Sequence, residues 1–227
     1  MAQWILSTWF FVVEYTMGVK MKKNLICKIP ESLMNLGVER RFPKGKNIFK
    51  SSESISHCYL ILSGMVKIYI DHENGRRSIL DFIGKSDWLG ELSLFCDEDY
   101  IKENKVVDDA VCLEFDLEEL KNMCKKDAKT SFYFASYISN KLMVRSYRMS
   151  EYLNYSLEKR LASFILKYQQ DGRYYISHTD VSEYMNTSYR HILFIIKKFC
   201  DGGILKKDNG YIITDFKRLE EISTSTE

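Results

Sequence analysis

The sequence predicts an α+β protein: a strand-rich unit first, then a long helix, then a small helical unit closed by a hairpin. Three observations carry this. Short β-branched and aromatic runs crowd residues 40–115, as in an antiparallel sandwich or barrel. No Gly or Pro interrupts Ala128 to Tyr168, and apolar residues recur there at helical spacing. The last part pairs two short amphipathic helices with an Asn-Gly hairpin signal.

Taken in order, "HCYLILSG" (His57 to Gly64) and "MVKIYI" (Met65 to Ile70) are expected as two strands separated at Ser63-Gly64. "DHENGRR" supplies a hairpin turn at Asn74-Gly75, and "SILDFIG" (Ser78 to Gly84) is the returning strand. "NKVVDDAVCLEF" (Asn104 to Phe115) offers two more short strands. "DLEELKNMCKKD" (Asp116 to Asp127) opens a helix on an acidic first turn. In the long helix, Ala135, Ile138, Leu142, Met149 and Tyr152 form a seam near the 3.5 repeat, read as a homodimer contact.

From Ser156 a smaller unit begins. "LEKRLASFILKY" carries Leu157, Leu161, Phe164, Ile165 and Tyr168 on one face. "SHTDVSEYMN" is a short helix capped by Ser177 or Thr179, with Val181 and Met185 inward. Asn186 supplies the left-handed residue a tight turn needs. "TSYRHILFIIKKFCDGG" is a second helix ended by Gly202-Gly203, and "GILKKDNGYIITD" is a hairpin around Asn209-Gly210. Two helices joined this tightly and backed by a hairpin make a winged helix-turn-helix, whose second helix meets the DNA major groove with its first turn. Ser188, Tyr189, Arg190, His191 and Phe194 are therefore candidate DNA contacts, with Lys197, Lys198, Lys206 and Lys207 for phosphates. Ile192, Leu193, Ile195, Ile196 and Phe199 are expected to face the core.

Charge agrees. The 227 residues carry a net +2, while 156–219 hold eleven Lys and Arg against seven Asp and Glu, so the basic excess sits in the C-terminal unit. The six cysteines are scattered, with no C-x-x-C pair, which suits buried thiols in a reducing cytoplasm rather than a metal or disulfide framework. The apolar run Trp4 to Val13 has no basic residue before it and is too short to span a bilayer as a helix. Residues 1–20 are accordingly read as a mis-assigned start or disordered tail, with translation beginning at Met21 or Met17, and no membrane association is expected.

Four segments, in this order, resemble the Crp-Fnr family of bacterial transcription regulators over about Ile26 to Phe216: "CYLILSGMVKIYIDHENGRRSILDFIGKSDWLGELSL", "LEKRLASFIL", "VSEYMNTSYRHILFIIKKFCDGGIL" and "KKDNGYIIT". The start "SYRHIL" resembles the YeiL-type branch most. The resemblance implies an N-terminal β-roll, a cyclic-nucleotide-binding-like jelly roll, over 21–127; a dimerisation helix over 128–155; and a winged helix-turn-helix DNA-binding domain over 156–227. It implies a homodimer on a near-palindromic double-stranded operator, with RNA polymerase as a further partner.

The departures are specific. Members that bind cyclic nucleotide follow their Gly-Glu motif, about ten residues on, with an Arg-Ser or Arg-Thr pair that holds the phosphate. Gly90, Glu91, Leu92 and Ser93 match the first part of an effector pocket, but Ile101 stands at the arginine position and Lys102 is the nearest cation, beside Asp97, Glu98 and Asp99. Cyclic AMP is therefore not expected as the effector, and an unidentified small molecule takes its place. Iron-sulfur members carry an N-terminal cysteine cluster, whereas only Cys27 stands here. Many members read DNA with Glu near the start of the recognition helix and Arg four residues later. Those positions hold Arg190 and Phe194, so a different half-site is expected. Two alternatives are a signal-binding roll without DNA activity and a cupin-like enzyme. The latter needs converging histidines, and two of the four, His178 and His191, fall outside the roll. No catalytic residue, metal ligand or enzyme activity is assigned.

Overall fold

The computed structural model describes residues 29–49, 55–97 and 102–225. The expectations on residues 1–20, Cys27, Glu98, Asp99 and Ile101 lie outside these.

A short helix α1 (Glu31–Met34) leads into β1 (Val38–Phe42), β2 (His57–Asp71), β3 (Arg77–Ile83), β4 (Trp88–Leu89) and β5 (Glu103–Asp116). They form one antiparallel sheet in the order β1-β5-β2-β3, with β4 also on β2. The two strands expected at Ser63-Gly64 are one 15-residue strand, and those expected within 104–115 are likewise one, β5. Gly64 does not turn the chain. It sits at φ +86° among register shifts, and a Cβ there would meet the Asp109 carbonyl oxygen at 2.2 Å. Such shifts are bulges that bend a long strand without ending it. Gly64→Ala is expected to cost at least about 1–3 kcal/mol, read as a lower denaturant midpoint, because positive φ and a backbone clash act together.

Asp116 caps α2 (Leu117–Lys126) by accepting from the Glu119 amide, and Asp127 caps α3 (Ala128–Asn154) by accepting from Lys129 and Thr130. Trp88 ties α3 to the roll: its indole N–H donates to the Tyr133 hydroxyl at 2.8 Å and its amide donates to the Tyr137 hydroxyl at 2.9 Å. Trp88 is fully buried against Phe115 and Phe134. A buried indole so satisfied anchors a helix to a sheet without an orphaned donor.

The C-terminal unit comprises α4 (Leu157–Tyr168), β6 (Arg173–Tyr174), α5 (His178–Tyr184), α6 (Tyr189–Asp201), β7 (Leu205–Lys207), β8 (Tyr211–Ile213) and α7 (Phe216–Thr224). The sheet order is β6-β8-β7. Helix α7 has no counterpart in the sequence expectations. It is capped by Asp215 and packs on α4 through Leu219.

This unit docks on the roll. Phe82 of β3 meets the rings of Phe164, Tyr168 and Tyr184 at centroid distances of 5.7, 5.4 and 5.6 Å. Two ion pairs flank the aromatic contact: Lys67 with Asp180 at 2.5 Å, and Arg148 with Asp81 at 2.7 Å. Burial works against the Asp81 carboxylate, but Arg148 and Lys167 outweigh it and hold its pKa below the ordinary range. Among the described residues no helix is long and apolar enough to cross a membrane.

Candidate nucleic-acid interface

The first helix of the pair, α5, starts on Ser177, whose hydroxyl accepts from the Asp180 amide at 3.1 Å; of the two expected caps, Ser177 is the one used. Val181 and Met185 are buried, as their spacing requires. The chain then turns at Asn186, in the left-handed region at φ +47°, and the Thr187 amide donates back to the Ser182 carbonyl. Ser188 caps α6 by accepting from the His191 amide. These local bonds fix the direction in which α6 leaves the turn.

One face of α6 is core: Ile192, Ile195, Ile196 and Phe199 are buried. Leu193 is not. It is 37% exposed, because it lies one turn beyond Tyr189 on the outward flank rather than on the inner stripe. Ser188, Tyr189, Arg190, His191, Phe194, Lys197 and Lys198 are all exposed, and Phe194 is 68% so. Arg190, Phe194 and Lys197 fall at i, i+4 and i+7, one outward row. Lys198 differs from its neighbours: its ammonium is paired with Glu158 of α4 at 2.6 Å, so a phosphate contact there would displace that carboxylate.

The wing is held by the Asn209-Gly210 turn, both at positive φ, and presents Lys206 and Lys207 exposed on β7. The His178 ring sits tilted between the two parts, 6.1 Å from the Tyr189 ring and 5.5 Å from Tyr211 of β8. Burial, with Lys207 adding to it, pulls the His178 pKa below its ordinary value, so the ring stays neutral near pH 7. The exposed residues here are basic and aromatic, types suited to phosphate and base-edge contacts.

The turn expected to line an effector pocket has a charged partner on α3. Gly90 sits at φ +87° and starts the short turn that holds Glu91, Leu92 and Ser93. Glu91 is only 3% exposed, and its carboxylate accepts from Lys141 of α3 at 2.7 Å. Sequence spacing gave no sign of this partner, 50 residues away. Lys102 is half-buried beside β5. Of the scattered cysteines, Cys96 is exposed and Cys112 is buried, its thiol pushed up to about 12 by burial.

On α3, an outward line runs Phe132, Ala135, Ser139, Leu142, Ser146, Met149 and Leu153 at alternating steps of three and four, and all seven are exposed. Ala135, Leu142 and Met149 of the expected seam lie on it. Ile138, half-buried, and Tyr152 flank it instead, since Tyr152 carries the Arg160 guanidinium over its ring at 4.5 Å.

Comparison with known proteins agrees with this layout. Residues 39–127 match the cyclic nucleotide-binding domain family, and residues 159–222 match the Crp-like helix-turn-helix domain family. The chain is 25% identical over 177 residues to the Regulatory protein YeiL of Escherichia coli O157:H7, covering 78% of this chain and 81% of that one. It is 21% identical over 188 residues to the Cyclic AMP receptor protein of Thermus thermophilus, covering 81% and 87%. Among solved structures, a Crp/Fnr-family transcriptional regulator from Eubacterium rectale shares the fold with a TM-score of 0.71 at 20% identity, covering 86% of this chain and 95% of that one.

Proposed function

Since the chain belongs to the Crp-Fnr family of transcription regulators, with a roll of the cyclic-nucleotide-binding type and a DNA-binding helix-turn-helix, we propose that it acts as a cytoplasmic homodimer that reads a near-palindromic operator through α6. The observation that carries this is the outward row Arg190, Phe194 and Lys197, presented by a capped helix behind a tight turn. Arg190 pairs bidentately with a guanine, Tyr189 reaches a phosphate or thymine methyl, and Lys197, Lys206 and Lys207 take phosphates. Phe194 brings apolar surface where many relatives use arginine, so the half-site differs from theirs.

The exposed line on α3 supports pairing with a second copy of this chain. Its steps of three and four are those of a two-stranded coiled coil, and Phe132, Leu142, Met149 and Leu153 are each more than half exposed in the single chain. Ser139 and Ser146 interrupt the line with small polar side chains, so its apolar contact concentrates at Leu142 and at the two ends. Two copies so joined present two recognition helices to successive major grooves. On its operator the dimer acts on RNA polymerase to change transcription.

The signal is a small molecule other than cyclic AMP. The carboxylate that would hold a ribose hydroxyl is already engaged by Lys141, and the sequence places Ile101 where a phosphate would need arginine. Arg190→Ala is expected to weaken binding to an operator selected from random DNA by about 1–3 kcal/mol and to relax one base position per half-site. Unchanged affinity together with unchanged base preference would remove Arg190 from the interface. Selection repeated with cyclic AMP added is expected to return the same sequences at the same affinity.

A further inference from the structure

Helix α6 buries one apolar stripe and exposes further apolar surface. Outside the stripe formed by Ile192, Ile195, Ile196 and Phe199, three large apolar or aromatic side chains face solvent: Tyr189, Leu193 and Phe194. Phe194 is the most exposed of them. It stands in the outward row, four residues after Arg190 and three before Lys197. Neither of those cations is ion-paired with a described residue, whereas Lys198 is held aside by Glu158.

Scattered exposed apolar residues are ordinary on a protein surface. A phenylalanine bracketed by two unpaired cations is more specific, because it fits an occupant that is apolar at one point and anionic around it. Duplex DNA has that chemistry. The turn at Asn186 and the Ser188 cap hold this row outward, and the wing adds exposed Lys206 and Lys207. In the major groove, thymine alone presents a methyl group, at C5; the other bases present hydrogen-bond donors and acceptors. A phenyl ring pressed on those polar edges would strip them of water without replacing their hydrogen bonds.

We propose that Phe194 selects thymine by packing on its C5 methyl, beside the guanine that Arg190 takes. This deepens the DNA-binding proposal and rests on it. Four residues of helix advance about 6 Å, close to two base-pair steps of about 3.4 Å. The selected thymine therefore falls within about two base pairs of that guanine.

The test starts from half-sites selected out of random duplex DNA by the full chain. One position near the guanine is expected to be fixed as thymine. Replacing that thymine with deoxyuridine in both half-sites removes only the two methyl groups and leaves every hydrogen-bonding group in place. Affinity is expected to fall about fourfold per methyl, and about tenfold or more for both, the scale of burying one methyl each. The same replacement at thymines outside the half-sites is expected to change nothing. Phe194→Ser sits at an exposed position and leaves the core of α6 untouched. It is expected to bind the thymine and deoxyuridine operators equally, and to select half-sites that keep the guanine but not the thymine. The inference is overturned if the unaltered chain binds both operators equally, or if its selected half-sites hold no fixed thymine near the guanine. It is also overturned if Phe194→Ser keeps the same affinity and base preference, which would leave the exposed ring to a protein partner. A guanine-dependent half-site whose affinity ignores the methyl sinks this inference alone. Selection that returns no sequence at all sinks the DNA-binding reading and this inference with it.

Discussion

Leu142→Glu is expected to convert the proposed dimer to a monomer and to lower affinity for a two-half-site operator by about 100-fold or more. Leu142 lies midway along the exposed line of α3 and faces away from the core of its own chain. The substitution therefore leaves the monomer's packing intact while placing like charges opposite each other across the two-fold contact. Once the subunits separate, the second half-site is no longer presented at high effective concentration, and the gain from linking two modest contacts disappears. Light scattering reads the mass and a titration on operator DNA reads the affinity. Binding to an isolated half-site is expected to be unchanged. A variant that stays dimeric would move the contact off this helix.

Phe82→Ala is expected to lower stability by about 3–5 kcal/mol, the range for truncating a buried phenylalanine. Phe82 is buried at the joint between roll and C-terminal unit, with three aromatic rings around it. For a chain of this size the change corresponds to a fall of about 6–20 °C in the unfolding midpoint. The loss is concentrated at the domain joint, so unfolding is expected to split into two transitions, with α4 to α7 losing protection against amide exchange before the roll. A single transition shifted by less than about 3 °C would show that the ring contact does not hold the two units together.

Local rules make much of this architecture legible. Asn186 is readable because few residues tolerate positive φ, and Ser177 because a hydroxyl three residues before an amide is a cap. The Asn209-Gly210 turn of the wing is readable for the same reason as Asn186. What escapes depends on partners distant in sequence. Gly64 reads as a turn signal, yet its freedom serves a bulge pressed against the Asp109 backbone. Leu193 reads as core because it is apolar among apolar neighbours, and only the orientation of α6 turns it outward. The exposed line on α3 is partly legible in the apolar spacing: Ile138 and Tyr152 keep helical spacing but flank that line, and it takes the exposure of Phe132, Ser139 and Leu153 to locate it. Ser139 and Ser146 in particular are polar, so apolar periodicity alone passes over them. Glu91 with Lys141 and Lys198 with Glu158 each join segments far apart in sequence. Helix α7 escapes because its nine residues are mostly polar and its main anchor, Leu219, is buried only by the facing α4.

Tyr152 stands at a crossing of these elements. It flanks the outward line of α3, carries Arg160 on its ring, and accepts at its hydroxyl a bond of 3.2 Å from the side chain of Asn186. Asn186 is the residue whose left-handed backbone aims α6. In the proposed dimer, one side-chain bridge therefore separates the contact between the long helices from the turn that sets α6. A rotation of α3 about its own length, of the kind a change in subunit packing produces, carries Tyr152 with it and tugs directly on the turn. In that proposed dimer, the pitch at which the two α6 helices meet the double helix would be geared to how tightly the two long helices wind around each other.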